Sequence, residues 1–145
     1  MSLRNILAVP DRPAPTVLAL LLLRSVMGVA FLFHGWGKIQ NPFGWMGPDG
    51  FAPPVFQALA ALSEFGGGAS LVVGLLTPLA CLGIGSTMAA ALWQHAVVRG
   101  DPFVGRGGSY ELASVYLCIV LVFLTMGPGR FALDRLIFGK RRAAT

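Results

Sequence analysis

The segment from Gln57 to Pro78 constrains this chain most, because it is apolar enough to cross a membrane and yet contains a carboxylate. Glu64 lies about nine residues into a span that starts near Val55, which places it about 13 Å into a hydrocarbon core of about 30 Å. A charge at that depth needs a partner, a proton or a water-filled cavity. Small residues share the helical face of Glu64 and allow a neighbouring helix to approach closely: Ala60, Ala61, Gly67 and Gly68. We predict an interior helix that presents one acid to its neighbours.

The composition argues against a soluble domain. Of the 145 residues, 55% are hydrophobic and only 12% are charged. The net charge of +5 could suggest nucleic acid, but the basic residues lie mainly at the chain ends and in short loops. A membrane surface explains that placement better. We therefore expect contact with membrane lipid and no nucleic-acid partner.

Four apolar segments predict an all-α membrane protein, a bundle of four transmembrane helices. They cover approximately residues 16–39, 55–76, 78–98 and 110–126. We expect residues 1–15 to form a cytoplasmic lead-in, 16–138 the membrane domain and 139–145 a basic cytoplasmic tail. Thr16 is a candidate N-cap for the first span. The connection 41–54 is rich in Gly, Pro and aromatic residues, which favours an outer loop folded over the mouth of the bundle.

The distribution of Lys and Arg predicts the orientation. With four spans, seven basic residues fall on the side of both termini: Arg4, Arg12, Arg130, Arg135, Lys140, Arg141 and Arg142. Three fall on the opposite side: Lys38, Arg99 and Arg106. The excess of positive charge favours the cytoplasmic side. We expect both termini in the cytoplasm and a multi-pass protein of the inner (plasma) membrane.

Arg24 and Glu64 lie near the midplane at estimated depths that differ by no more than about 5 Å. One interpretation is a structural ion pair that fixes the register of the helices, because an unpaired charge in lipid would be strongly penalised. The other interpretation makes Glu64 a proton carrier or a ligand contact whose properties Arg24 tunes.

A second polar layer lies toward the outer face, with Trp36 and Trp93 nearby. Its members are His34, Lys38, His95, Tyr110 and Glu111. Such a set suits a pocket for a quinone headgroup, which needs hydrogen-bond donors, an aromatic wall and proton-exchanging side chains. The alternative is interfacial anchoring at the level of the lipid headgroups. No metal site is predicted, because two histidines and one acid on three helices lack local ligand spacing.

At the inner end, Arg130 and Asp134 follow a Gly-Pro-Gly stop at a spacing of four residues. This spacing is typical of an exposed ion pair on a short interfacial helix. A face of small residues on the second span could also receive a second copy of the chain: Gly66, Ser70 and Gly74. A homo-oligomer is therefore a further expectation.

Between approximately residues 22 and 134, a series of short motifs together resembles the DoxX family of small four-span membrane proteins. The motifs are Arg24 with Gly28, Phe31, His34-Gly35 and Lys38; Glu64-Phe-Gly-Gly-Gly with Gly74-Leu-Leu-Thr-Pro; His95; Tyr110-Glu111-Leu; and Thr125-Met-Gly-Pro-Gly-Arg130-Phe-Ala-Leu-Asp134. Ala132 stands where a serine is common in the family. The resemblance implies a four-helix membrane bundle.

The resemblance also implies a link to redox chemistry, since the family's namesake is similar to a subunit of a thiosulfate:quinone oxidoreductase. Other members are reported in oxidoreductase complexes with soluble partners. The family-motif positions present in this chain are Arg24, His34, Lys38, Glu64, His95, Glu111, Arg130 and Asp134.

The leading hypothesis is a quinone-interacting membrane subunit of an oxidoreductase. It would pass electrons from a small donor or a soluble partner to menaquinone or ubiquinone. The residues expected to move protons are Glu64, Glu111 and His95, and those expected to bind the headgroup are Arg24, His34, Lys38, Trp93 and Tyr110. The chief alternative is a non-enzymatic membrane anchor or scaffold for a partner protein. A third class, a pathway for protons or small solutes, lacks the discontinuous helices that transporters use.

Overall fold

The structure, a computed structural model, describes residues 7–140, and all regular secondary structure in that range is helical. The helices are α1 (Ala14–Gln40), α2 (Pro54–Val73), α3 (Thr77–Trp93), α4 (Glu111–Met126) and α5 (Leu133–Phe138). A π-helical segment, Gln94–Val98, continues α3. Pairing between strands in the described range is limited to a single bridge between Val9 and Lys140. The predicted all-helical fold is confirmed.

Within residues 7–140, three helical segments are long and apolar enough to cross a membrane. They are Ala14–Gln40 with 27 residues, Pro54–Val73 with 20, and Thr77–Val98 with 22. The fourth helix, α4, is apolar but has 16 residues, which corresponds to about 24 Å. The chain therefore has the helices of a membrane protein, while the fourth span and the orientation stay predictions.

Prolines and a glycine set the helix ends. Each of the first three helices has a proline at its first or second position, where the missing N–H costs no helical hydrogen bond. The predicted N-cap at Thr16 is wrong, because α1 already begins at Ala14 after Pro13. Gly74 ends α2 at a φ of 71°, and Leu75 N donates to Ser70 O at 2.9 Å. This left-handed cap turns the chain directly into α3.

Glycines allow α1 and α2 to pack very closely. A Cβ atom on Gly28 would lie 2.8 Å from Val72 N, and one on Gly68 would lie 2.7 Å from Leu32 N. Gly35 similarly lies against the backbone of Phe65. The prediction that small residues bring a neighbouring helix close to α2 is confirmed. These contacts also fix which levels of the two helices lie opposite each other.

The core lies where all four long helices meet. Its buried members are Leu20, Met27, Phe31, Leu71, Ala80, Cys81, Ile84, Val120 and Phe123. Helices that are adjacent in the sequence pack against each other along their lengths, whereas the backbones of α1 and α4 come close at few positions. The ring of Phe31 reaches across to Tyr116 at 4.7 Å between centroids and helps to close that side.

The two ends of the described chain are joined. Val9 N donates to Gly139 O at 3.0 Å, and Arg135 Nη1 donates to Val9 O at 3.1 Å. Asp11 forms ion pairs with Arg135, at 2.9 Å, and with Lys140. We call these residues the terminal clasp. Three basic residues on which the predicted orientation depends lie outside the described residues: Arg4, Arg141 and Arg142.

Candidate functional site

The partner of Glu64 is Lys38, in the last turn of α1. Lys38 Nζ donates to both carboxylate oxygens of Glu64 at 2.6 Å. The Glu64 side chain is 3% exposed and that of Lys38 is 25% exposed. The predicted pairing of Glu64 with Arg24 is wrong. The expectation that a buried carboxylate must find a partner is confirmed, but the partner is a different cation.

The register of α1 and α2 explains this correction. Gly28 lies beside Val72, and Gly35 lies beside Phe65. Because the two helices run antiparallel, the level of Glu64 corresponds to approximately residue 36 of α1. Arg24 is twelve residues away from that level, or about 18 Å along the helix. Depth estimates from the ends of apolar segments miss such an offset.

The Lys38–Glu64 pair lines a cavity of about 700 Å³ between α2, α3 and the loop 41–53, which we call the outer loop after the side predicted for it. Most of its wall is apolar, and the aromatic contributors are Trp45, Phe51 and Phe56. Lys38 Nζ lies 4.5 Å from the centre of the Trp45 ring, which is a cation–π contact. The wall formed by α3 and the residues that follow it carries His95 and Arg99, and the loop contributes Asp49. Charged groups therefore occupy two sides of a largely apolar space.

Gln57 fastens the outer loop over this cavity. Its side chain accepts from Met46 N at 3.1 Å and donates to Ala52 O at 2.8 Å. Its backbone oxygen accepts from Trp45 Nε1 at 2.9 Å. Gln57 itself is 4% exposed. The predicted folding of the aromatic loop over the mouth of the bundle is confirmed.

His95 is held by Asp101, a residue that the sequence analysis did not single out. His95 Nδ1 and Asp101 Oδ2 are 2.6 Å apart, and Asp101 N donates to His95 O at 2.8 Å. Arg99 Nε lies 3.3 Å from the same carboxylate oxygen. The one signal in the sequence was an acid six residues after His95, in a glycine-rich loop. His95 belongs to the π-helical segment, a form that is rare and often found at functional sites.

The other predicted site residues do not line this cavity. His34 packs beside Tyr116 at 6.2 Å between ring centroids, on the side where α1 faces α4. The Tyr110 ring contacts Phe103 edge-to-face at 5.3 Å between centroids, and Glu111 is exposed at the start of α4. Because α4 packs on α3 while the cavity lies on the α2 side, these groups stay apart from it. The prediction of one pocket containing the whole outer layer is wrong in this respect.

Trp93 is 53% exposed and also lies outside the cavity lining. The predicted outer layer therefore contributes two members to the cavity, Lys38 and His95. The catalytic and binding roles assigned to the layer stay predictions.

Arg24 lies in a separate buried cluster at the end of the bundle where α2 turns into α3, which we call the inner end after the side predicted for it. It is 2% exposed, and its Nη2 donates to Phe131 O at 3.2 Å. Its Nε and Nη1 have no hydrogen-bond partner among the described residues. The guanidinium lies directly on Gly74, where a Cβ atom would overlap Nη1. Gly74 is therefore covered from within, and the predicted use of this residue in a contact between copies is wrong.

Asp134 is the second charged member of this inner cluster. Its oxygens accept from Leu76 N at 2.6 Å and from Thr77 N at 2.9 Å, and the residue is fully buried. The carboxylate thus caps the N-terminus of α3, where the helix dipole favours a negative charge. The predicted surface pair of Arg130 with Asp134 is wrong, because Arg130 lies over the Phe131 ring at 5.0 Å.

The two clusters differ in what they can do chemically. Both oxygens of Asp134 are used to cap a helix, whereas Lys38 has a third ammonium hydrogen and borders an open cavity. A polar ligand can receive that hydrogen bond while its apolar part rests on the aromatic wall. The Lys38–Glu64 side is therefore the candidate functional site.

Comparison with known proteins places this architecture in a family. The DoxX family model matches residues 19–96, just over half of the chain. An uncharacterized protein of Haemophilus influenzae is 31% identical over 123 residues, covering 83% of this chain and 92% of its own length. The inner membrane protein YqjF of Escherichia coli is 30% identical over 125 residues, covering 81% and 90%. No solved structure matches the chain significantly. The protein thus belongs to the DoxX family and is a multi-pass protein of the inner membrane.

Proposed function

We propose that this protein is a quinone-interacting membrane subunit of an oxidoreductase. In this proposal it spans the membrane four times with both termini in the cytoplasm, and electrons reach the quinone from a small donor or a soluble partner. The observation that carries the proposal is the Lys38–Glu64 pair at the wall of an aromatic cavity of about 700 Å³.

The size and the lining of the cavity support a flat aromatic ligand. Its volume lies within the range of about 300–1,000 Å³ that is usual for small-molecule sites. Trp45, Phe51 and Phe56 offer ring faces for stacking. Lys38 lines the cavity, and a quarter of its side chain is exposed.

The charged groups support quinone chemistry in particular. A quinone carbonyl is a hydrogen-bond acceptor, which the third ammonium hydrogen of Lys38 can serve. Reduction of a quinone consumes protons, and oxidation of a quinol releases them, so a site needs groups that exchange protons. Three proton-exchanging groups border the cavity: Glu64, His95 and Asp49.

Binding is tested with purified protein in lipid nanodiscs and short-tailed menaquinone and ubiquinone analogues. Trp36→Phe and Trp93→Phe leave Trp45 as the single fluorescent reporter beside Lys38. We expect saturable quenching of Trp45 fluorescence. An absence of saturable quenching with every analogue would refute the proposal and leave the anchor hypothesis.

Variants at the pair make the test specific. Lys38→Met and Glu64→Gln are expected to weaken binding at least about tenfold, because the first removes the donor and the second removes the charged group that holds it. Asp11→Asn removes an acid of the terminal clasp, far from the cavity, and is the matched control. Equal affinities in all three variants would place the ligand elsewhere on the protein.

A further inference from the structure

The pairing of His95 with Asp101 decides which ring nitrogen carries a proton. An ionised carboxylate only accepts hydrogen bonds, so the 2.6 Å contact requires a hydrogen on His95 Nδ1. The neutral imidazole then has an acceptor at Nε2. Among residues 7–140, the hydrogen bond of this side chain is the one from Nδ1, which leaves Nε2 free. His95 lines the cavity while Asp101 does not, so the carboxylate contacts the ring from outside the cavity lining.

We propose that Asp101 is a positioning residue that makes His95 a hydrogen-bond acceptor, and that the cavity consequently prefers the quinol form of its ligand over the quinone form. This inference rests on the proposed function and specifies the redox form of the ligand. Asp101 acts through His95 and does not itself border the cavity.

The two charged sides of the cavity require different hydrogen-bonding groups on the ligand. Lys38 and Arg99 offer donors, and Nε2 of His95, with its hydrogen on Nδ1, offers an acceptor. A quinol has two hydroxyl groups, each able to accept one hydrogen bond and to donate another, so it can satisfy both sides. A quinone has two carbonyl oxygens that only accept, so it can satisfy Lys38 and Arg99 but has no hydrogen to donate to Nε2 of His95. A desolvated acceptor without a donor is costly, which disfavours the quinone.

The loop around Asp101 is shaped to hold this carboxylate. Its own N–H is tied back to His95 O at 2.8 Å, and Arg99 supplies a compensating charge at 3.3 Å. The chain passes so close at Gly108 that a Cβ atom there would overlap the Asp101 carboxylate. At the adjacent Gly107, a Cβ atom would meet nothing within 4 Å. Gly108→Ala is therefore expected to displace the carboxylate without deleting it, with Gly107→Ala as the matched control.

The protonation of His95 is read directly by ¹⁵N NMR of histidine-labelled protein in nanodiscs at pH 8. The chain has two histidines, so a His34→Gln variant leaves the signal of His95. We expect the neutral Nδ1–H tautomer. Asp101→Asn offers both a donor and an acceptor and should populate the other tautomer, as should Gly108→Ala, while Gly107→Ala should not. An imidazolium or an Nε2–H tautomer in the wild-type protein would overturn the inference.

Ligand preference is measured with one short-tailed menaquinone analogue, in its oxidised form and in its anaerobically reduced form. We expect the quinol to bind at least about tenfold more tightly than the quinone. Asp101→Asn and Gly108→Ala should bring that ratio toward one, and Gly107→Ala should leave it unchanged. If both forms bind with equal affinity to the wild type, this inference is wrong while the proposed function stands. If neither form binds, both fail.

Discussion

Replacement of Asp134 tests whether this buried carboxylate holds the inner end of the bundle together. In Asp134→Ala, the N–H groups of Leu76 and Thr77 lose acceptors at 2.6 and 2.9 Å. A hydrogen bond to a charged group contributes about 1.5–3 kcal/mol. Two of them sum to about 3–6 kcal/mol, and water entering the space left by the carboxylate recovers a part. We expect a loss of about 4 kcal/mol in the free energy of unfolding.

Asp134→Asn gives an internal calibration of this estimate. Its amide retains one acceptor oxygen and should serve one of the two N–H groups, so we expect a loss of about 2 kcal/mol. Asp134 is also the acid that attracts the Arg24 guanidinium electrostatically. The change Arg24→Met should therefore cost less in the Asp134→Ala background than in the wild type.

The assay is unfolding in mixed micelles by increasing SDS, followed by far-UV circular dichroism. Asp49→Ala removes an exposed acid of the outer loop and is expected to change stability by no more than about 0.5 kcal/mol. If Asp134→Ala unfolds at the same SDS fraction as Asp49→Ala, the carboxylate does not stabilise the start of α3 and the reasoning fails.

Two further predictions concern the backbone at Gly74 and the terminal clasp. Gly74→Ala places a Cβ atom at a φ of 71° and into the Arg24 guanidinium, so the same SDS assay should show a loss above about 3 kcal/mol. Gly37→Ala, where a Cβ atom would meet nothing, should gain up to about 1 kcal/mol, and a loss there would contradict the argument. The hydrogen bond from Lys140, with help from Arg135, lowers the pKa of Asp11 below its usual 3.8. The clasp is therefore fully stabilised above that value and weakens as the pH falls through the lower folded-state pKa. Hydrogen-exchange protection of the Val9 amide, corrected for intrinsic rates, should drop in this acidic range, and in Asp11→Asn it should be low already at pH 7.

The sequence was sufficient for the helices and for the close packing of α1 on α2. Apolar length is a local signal, and it predicted the ends of the long helices to within about three residues when the π-helical segment is counted with α3, although the second span was extended past Gly74 to residue 76. Glycines on the Glu64 face were enough to predict a close neighbour, because few other residues permit such an approach. Local sequence signals are therefore enough to predict these helices and the packing of α1 on α2.

The partners of the buried charges could not be predicted from the sequence. Whether Glu64 meets Arg24 or Lys38 depends on the register of two antiparallel helices, which a few glycine contacts between their backbones determine. Asp134 reaches Leu76 across 58 positions of sequence, through a turn whose path no local pattern specifies. The spacing of four residues between Arg130 and Asp134 predicted an exposed ion pair. The pair does not form, because Asp134 is buried.

Access to the charges separates the structural cluster from the candidate site. Asp134 is fully buried, and both of its oxygens are bound to backbone N–H groups, so a ligand would have to break the cap of α3 to reach it. Glu64 is nearly as buried, but its partner Lys38 remains a quarter exposed and borders a cavity. A ligand can therefore engage that pair without unfolding anything. Both clusters contain a buried acid and carry the cost of burying a charge, so a buried acid alone does not identify a functional site. The Lys38–Glu64 pair is the better candidate because a ligand can reach it.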